Sequence, residues 1–198
     1  LESAEKEGVL VINKPNSLRS CNEKVFATEF PQCCTSFLVS SEELLLKKFI
    51  SENMDTVVKP LDGMGGSSIF RVKVNDPNLN VILETITNFF STKVMIQKYI
   101  PEIVEGDKRI LLINGKAMNA AIARVPAEGE LRGNLAAGAT AVARSLTERD
   151  IWICDQVGPQ LSELGLTLVG LDVIGDYLTE INVTSPTCFK EYESLCDI

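Results

Sequence analysis

The chain has 198 residues, 45 % of them hydrophobic, and a net charge of −8, which is long enough for one two-lobed domain or two small ones and apolar enough for a true core rather than a disordered chain. The acidic balance, with no long basic run, argues against nucleic acid as a partner, and apolar runs far shorter than about 18 residues exclude a membrane-spanning helix. There is no histidine, which excludes Ser-His-Asp and Cys-His catalysis and His-ligated zinc.

The first residues, L-E-S-A-E-K-E-G, are charged and lack a signal-peptide hydrophobic region, and the chain does not begin with Met, as expected of a fragment or a processed form. Val9–Ile12 reads as a short strand leading to Asn13-Lys14-Pro15. Cys21–Phe30 reads as a helix with Val25, Phe26 and Phe30 inward, ended by Pro31. Ser36–Val39 is a short strand, and Ser40 with Glu43 is a capping-box pattern opening a helix over Ser41–Asn53, with Leu45 and Phe49 on its apolar face. Thr56–Leu61 and Ile69–Val74 read as strands flanking a glycine-rich loop, Asp62–Ser68. Leu79–Phe89 reads as a helix and Lys93–Tyr99 as a strand closed by Pro101, where the first lobe is expected to end. The lobes are placed at about 14–99 and 100–198, in an α+β pattern.

The second lobe opens with Lys108–Ile113, an Asn114-Gly115 turn of the type I′ kind, and Lys116–Val125. Pro126–Leu146 shows little strand or helix pattern and reads as a long loop. Thr147 with Asp150 caps a helix running to Leu164, with Ile151, Cys154, Leu161 and Leu164 inward, Pro159 inside it and Gly165 as its C′ residue. A hairpin over Val169–Pro186 and a last helix over Pro186–Leu195 complete the chain. The six cysteines, Cys21, Cys33, Cys34, Cys154, Cys188 and Cys196, form no C-x-x-C pair, and adjacent Cys33-Cys34 is poor disulfide geometry, so free cytosolic thiols are expected.

The hairpin V-G-L-D-V-I-G-D-Y-L-T-E-I-N-V-T-S-P carries the strongest chemical pattern. Strand side chains alternate, so Glu180 and Asn182 share a face. With Asp172 opposite Glu180, Leu171 meets Ile181 and Val169 meets Val183 on the apolar face. That register leaves a three-residue loop, Gly175–Tyr177; a two-residue loop at Gly175-Asp176 breaks the match unless a bulge restores it. Two carboxylates and an amide oxygen on one face suit Mg²⁺ carrying nucleotide phosphates. The competing reading is a polar, solvated hairpin face.

The loop K-P-L-D-G-M-G-G-S-S, from Lys59 to Ser68, is the second feature. Its glycines let backbone N–H groups approach an anion. It is neither a P-loop nor a dinucleotide fingerprint, since a strand follows it; joining two strands, it can cover phosphates as a flap. An ordinary hairpin turn is the alternative. Lys59 and Lys14 each follow a short apolar strand and can reach a phosphate, or stand solvated. Gln97-Lys98-Tyr99-Ile100 lies at the lobe boundary, where backbone groups can meet an adenine edge. Asp107 and Arg109 open one strand and Arg124 closes its partner, so the arginines can fork onto a substrate carboxylate or form surface ion pairs. Arg132 and Asn134 lie in the long loop, placed to close over substrate or simply solvated.

These stretches together resemble the bacterial type of glutathione synthetase, an ATP-grasp ligase family. They are Asn13-Lys14-Pro15, Leu18-Arg19, Cys21–Lys24, K-P-L-D-G-M-G-G-S-S-I-F-R from Lys59, Gly106–Arg109, Arg132–Gly138 and the hairpin through Thr187. The resemblance implies an ATP-grasp fold of two α+β lobes clasping a nucleotide cleft. The implied reaction phosphorylates γ-glutamylcysteine with ATP, and glycine attacks the acyl phosphate, giving glutathione, ADP and phosphate. It implies that Lys14 and Lys59 contact ATP phosphates beneath the loop residues Asp62, Gly63, Gly65, Gly66 and Ser67. Gln97, Lys98, Tyr99 and Ile100 frame the adenine, with Asp107 in the nucleotide-binding set. Asp172, Glu180 and Asn182 hold Mg²⁺ or Mn²⁺, and Arg109, Arg124, Arg132 and Asn134 face substrate or the transferred phosphoryl group. A cytoplasmic enzyme, oligomeric when intact, is implied, with no nucleic-acid or membrane partner. Two departures stand out. The family's N-terminal pre-ATP-grasp domain is missing here, and positions 138–141 read Gly-Ala-Thr-Ala where the family has Gly-Gly, a basic residue and Gly. Thr140 cannot supply that charge, which puts loop closure in question. An ATP-grasp ligase with another acceptor, and a nucleotide-binding fragment inactive without its N-terminal domain, are the alternatives.

Overall fold

The computed structural model describes residues 1–63, 65–130, 133, 135 and 138–196. They form two compact units, one of Thr35–Pro101 and one of Leu1–Cys34 with the chain from Glu102 onward. Residues 14–34, expected in the first lobe, thus group with the C-terminal unit, because Cys21, Phe26, Phe30 and Cys33 share a core with Leu171, Leu178 and Ile181.

Helices α1 (Glu2–Lys6) and α2 (Pro15–Ser20) open the chain, and neither was expected. The expected strand Val9–Ile12 does not form, and Val9, Leu10 and Ile12 are 54 %, 84 % and 56 % exposed. A strand needs a neighbour for its backbone groups, which apolar composition cannot supply. The expected helix Cys21–Phe30 shrinks to a 3₁₀ turn, Phe26–Glu29. Asn22 Oδ1 accepts from the amides of Lys24 and Val25, both at 3.1 Å, and this local bonding competes with a helix.

The unit Thr35–Pro101 contains β1 (Phe37–Ser40), α3 (Glu43–Asn53), β2 (Asp55–Pro60), β3 (Phe70–Lys73), α4 (Leu79–Ile86) and β4 (Val94–Lys98). Its sheet is antiparallel, in the order β1-β4-β2-β3. The capping box is not made: Ser40 Oγ accepts from Glu42 N at 2.9 Å, and α3 has no side-chain cap. Its inward residues are Leu46 and Ile50, one position later than expected, and Leu45 is exposed. Leu46, Ile50, Val58, Val72, Leu83, Val94 and Ile96 form one core. Alternation then leaves Lys59, Arg71 and Gln97 on the opposite face of the sheet.

The other unit continues with a 3₁₀ turn, Pro101–Glu105, then β5 (Asp107–Ile113), β6 (Lys116–Val125), β7 (Thr140–Ser145), α5 (Glu148–Glu163), β8 (Leu168–Ile174), β9 (Tyr177–Asn182) and α6 (Phe189–Leu195). The sheet is antiparallel, in the order β7-β6-β5-β8-β9. Strand β7 lies inside the stretch expected to be a loop; it pairs with β6 from Val125↔Thr140 to Ala120↔Ser145. Its small residues carry a weak strand signal, and the partner strand decides. The Asn114-Gly115 turn has φ of 51° and 74°, as its type requires.

Thr147 and Asp150 make the full capping box of α5. The helix buries Ile153, Cys154, Val157 and Leu161, whereas Ile151, expected inward, is 48 % exposed. These residues cover Ile110, Leu112, Val169, Leu171, Val173 and Ile181 on one face of the sheet. On the other face Leu111 and Ile122 pack with Cys188 and Tyr192 near α6. All six cysteines are free, and no helix among the described residues is long and apolar enough to cross a membrane.

Helix α5 meets the β5–β6 turn at Gly158, where an added Cβ would lie 2.2 Å from Gly115 O. Elsewhere in a helix, Gly→Ala stabilises by about 1 kcal/mol. Here Gly158→Ala is expected to destabilise by about 1–3 kcal/mol through overpacking, read as a lower midpoint in urea unfolding.

Candidate functional site

The β8–β9 hairpin sets Asp172 opposite Glu180 and Gly170 opposite Asn182, so the two carboxylates and the amide project from one face. Leu171 meets Ile181 on the other face, the one α5 covers. The loop is the two-residue Gly175-Asp176, with Ile174 opposite Tyr177, and a bulge between Asp172 and Val173 restores the register. Of the two routes open from the sequence, a three-residue loop or a bulge, the chain takes the bulge.

Antiparallel pairing brings Arg109 beside Asp172 and Arg124 beside Asp107. Arg109 donates from Nε to Asp172 Oδ1 at 2.5 Å and from Nη2 to Oδ2 at 3.1 Å. Arg124 Nη2 lies 2.5 Å from Asp107 Oδ2 and 3.0 Å from Asp172 Oδ2. Both arginines are buried, and Arg109 also approaches Thr187 Oγ1 at 3.4 Å. The resemblance has these arginines facing substrate or the transferred phosphoryl group, and the residues alone also allowed ion pairs; here they pair with the carboxylates of Asp172 and Asp107, buried rather than at the surface. The reason is burial: Asp172 is only 4 % exposed, and a buried carboxylate demands a cation.

Lys24 is the residue that sequence reasoning missed. Its side chain is 5 % exposed, and Nζ lies 2.7 Å from Glu23 Oε1 and 4.0 Å from Glu180 Oε1. In the polar run C-N-E-K it looks solvated; the signal available was its place inside the quoted motif. Lys14 is not brought to the carboxylates. It is exposed, its amide donates to Gly165 O at 3.2 Å, and its stem runs beside Gly165. Arg132 and Asn134 lie outside the described residues. Gly133, between them, sits where a Cβ would be 2.8 Å from Asp107 Cβ.

In the unit Thr35–Pro101, Lys59 and Gln97 are buried, on the sheet face away from the helices. Lys98 is exposed, and Tyr99 lies under the Arg71 guanidinium, 3.6 Å from ring centroid to Cζ, with Ile100 buried beyond it. The loop glycines Gly63, Gly65 and Gly66 all have positive φ, at 145°, 70° and 74°, backbone that side chains rarely adopt. Asp62, Gly63 and Ser67 border a cavity of about 270 Å³ with Phe70, Thr85 and Ile86, on the α4 side of the sheet.

The donor set fits a hard divalent cation that shares its shell with phosphates. Among the described residues no three acidic or thiol side chains gather into an all-protein site, whereas Mg²⁺ is commonly held by one or two carboxylates plus phosphate oxygens. A carboxylate offers about four lone-pair directions; the arginines take three at Asp172, which leaves one. Asn182 Nδ2 donates to Gly170 O at 3.3 Å, so its amide oxygen is the end left for a ligand. Asp107 Oδ1 is buried with no hydrogen-bond partner among the described residues.

Burial pushes Asp107 up to about 6; Asp172 and Glu180 add to the push, and Arg124 and Arg109 oppose it. Its side chain keeps 18 % of its surface, so water shares in the screening. Burial alone would raise Asp172 as well, but Arg109 and Arg124 outweigh it and hold Asp172 well below the usual carboxylate range. The two signs are opposite. Stability from Asp172 is present above the ordinary carboxylate pKa and is lost as pH falls through its lower folded value. Folded Asp107 keeps a proton between about pH 4 and 6 that the unfolded chain has released, so stability falls as pH rises through that window. Asp107→Asn is expected to flatten that slope in urea unfolding measured across the same range.

A family model for the prokaryotic glutathione synthetase ATP-grasp domain matches residues 23–197. The glutathione synthetase of Pseudomonas putida is 60 % identical over 194 residues, covering 98 % of this chain and 61 % of that protein. That of Vibrio parahaemolyticus is 55 % identical over 198 residues, covering 100 % and 63 %. The structure of the ATP-grasp ligase PsnB complexed with minimal precursor, Mg, and ADP has a TM-score of 0.68 at 17 % identity, covering 98 % of this chain and 59 % of that one, a likeness of fold. The chain spans 61–63 % of the length of these curated relatives. By this match, and with an ATP-grasp fold, the chain belongs to the prokaryotic glutathione synthetase ATP-grasp domain family.

Proposed function

We propose that the chain is the ATP-grasp portion of an enzyme that joins γ-glutamylcysteine to glycine, with ATP converted to ADP and phosphate through an acyl phosphate. The observation that carries this reading is 60 % identity to a glutathione synthetase across 98 % of the chain. The hairpin supports it, because it presents Asp172, Glu180 and Asn182 on one face.

The chemistry is positioning and charge neutralisation, so it needs no histidine. Lys59 and the backbone amides of the loop Asp62–Ser68 recognise phosphate, and Gln97 to Ile100 frame the adenine. Lys24, a lysine held among carboxylates, joins the cationic groups. Asp172, Glu180 and the Asn182 amide oxygen would hold Mg²⁺, which when bound neutralises charge on the phosphates. Arg109 and Arg124 keep Asp172 ionised and fixed, and they remain charged throughout because guanidinium does not titrate here. Asp107 Oδ1 offers an acceptor to a donor from substrate or nucleotide.

A second reading is a nucleotide-binding module that takes up Mg-ATP without turnover. Calorimetry with Mg-ATP, run beside an ADP-release assay, separates the two. For an active chain, ADP release is expected only when γ-glutamylcysteine and glycine are both present; turnover indifferent to glycine overturns the assignment, and an acceptor panel would then identify another ligase. Lys59→Ala is expected to weaken ATP binding about 10- to 100-fold, as for a lost charged hydrogen bond. Glu180→Ala is expected to remove the Mg²⁺ dependence as well. Full activity in both variants would place the site elsewhere.

A further inference from the structure

The acidic hairpin reaches its register through an irregularity. The tight turn pairs Ile174 with Tyr177 and Val173 with Leu178. Continued unchanged, that pairing would set Asp172 opposite Thr179 and Glu180 opposite Leu171, and Glu180 would point into the apolar face under α5. Instead Thr179 is an extra residue on β9, and Asp172 meets Glu180. A bulge disrupts the ladder locally, and here the Thr179 hydroxyl donates to Asp172 O at 3.1 Å. Both residues are buried, 5 % and 4 % exposed, so no water replaces that bond freely.

The geometry points to Thr179 as a positioning residue for the Asp172–Glu180 pair: its hydroxyl fixes the bulge that turns Glu180 onto the face of Asp172. The inference rests on the reading of that pair as metal donors. The far edge of β9 is tied down on both sides of the bulge, by Leu178 N to Cys33 O and Ile181 N to Glu23 O, each at 2.8 Å. Those ties set where the strand runs. Within the hairpin, the bond from the bulged residue itself to the carbonyl of Asp172 sets how the backbone turns between them. A β-branched residue is also stiff at χ1, which holds the hydroxyl in place.

The test is equilibrium dialysis of ATP against the whole chain, with and without Mn²⁺. Thr179→Val keeps the shape and removes the donor; Thr179→Ser keeps the donor. Thr179→Val is expected to bind metal-free ATP as the parent does and to lose about tenfold of the Mn²⁺-dependent gain, with Thr179→Ser within about twofold of the parent. An undiminished Mn²⁺ gain in Thr179→Val overturns the inference. If thermal melting shows that Thr179→Val does not fold, Thr179→Ala against Thr179→Ser decides: equal gains overturn it, and a gain about tenfold smaller for Ala supports it. A parent chain with no Mn²⁺ gain, or a Glu180→Ala variant that keeps all of it, overturns the metal reading itself, and the inference with it.

Discussion

The fork of Arg109 on Asp172 is the contact around which the larger unit is arranged. It joins the central strands β5 and β8, and both partners are buried. Removing one partner of such a pair typically costs about 3–5 kcal/mol, because the other is left as an uncompensated charge. The fit depends on a residue with no side chain: a Cβ at Gly170 would lie 2.8 Å from Arg109 Cδ. The glycine in V-G-L-D is therefore where the guanidinium stem crosses β8. Arg124 and Asp107 extend the cluster across to β6, so four charged side chains on three strands hold one another on a single sheet face.

The opposite face is built for rigidity. Lys108, next in sequence to Arg109, points the other way and reaches Asp150 Oδ1 at 2.5 Å and Gly175 O at 3.0 Å. Asp150 also receives the Thr147 amide as part of the α5 cap. One buried ion pair thus links the start of α5 to a central strand and to the tip of the hairpin that carries the acidic residues. Arg149, which donates to Asp176 O at 3.0 Å, grips the same tip from the surface. Side chains on strands held from both faces keep their spacing with little reorganisation, which is what the proposed neutralisation of phosphate charge requires.

Local patterns read well. The Asn114-Gly115 turn, the Thr147/Asp150 cap and the Gly165 C′ position depend on a few neighbouring residues, and each formed. Elements that need a distant partner read poorly. Val9–Ile12 has strand composition and no ladder, whereas β7 has alanine-rich composition and a full ladder on β6. The face of α3 shifted by one position, Leu46 for Leu45, and on α5 Ile153 replaced Ile151 beside Cys154 and Leu161, which are inward as expected, because the covering sheet selects among adjacent apolar residues. At the site, the shared face of Glu180 and Asn182 was legible from alternation alone, whereas the place of Asp172 on that face depends on the register across the hairpin. The commitment of the arginines and the burial of Lys24 were not legible, since their partners Asp172 and Glu180 lie far along the chain.

By itself the sequence determined the family, the antiparallel hairpin and the shared face of Glu180 and Asn182, since these follow from motif identity and from the two-residue period of a strand. Only the tertiary structure decided that a bulge at Thr179 keeps Asp172 facing Glu180, that Arg109 and Arg124 are held by Asp172 and Asp107, and that Lys24 rather than Lys14 stands beside Glu180. The physical reason is that register parity and charge pairing are settled between residues far apart in the chain. The cost of burying an unpaired charge then selects one arrangement from several that local chemistry permits.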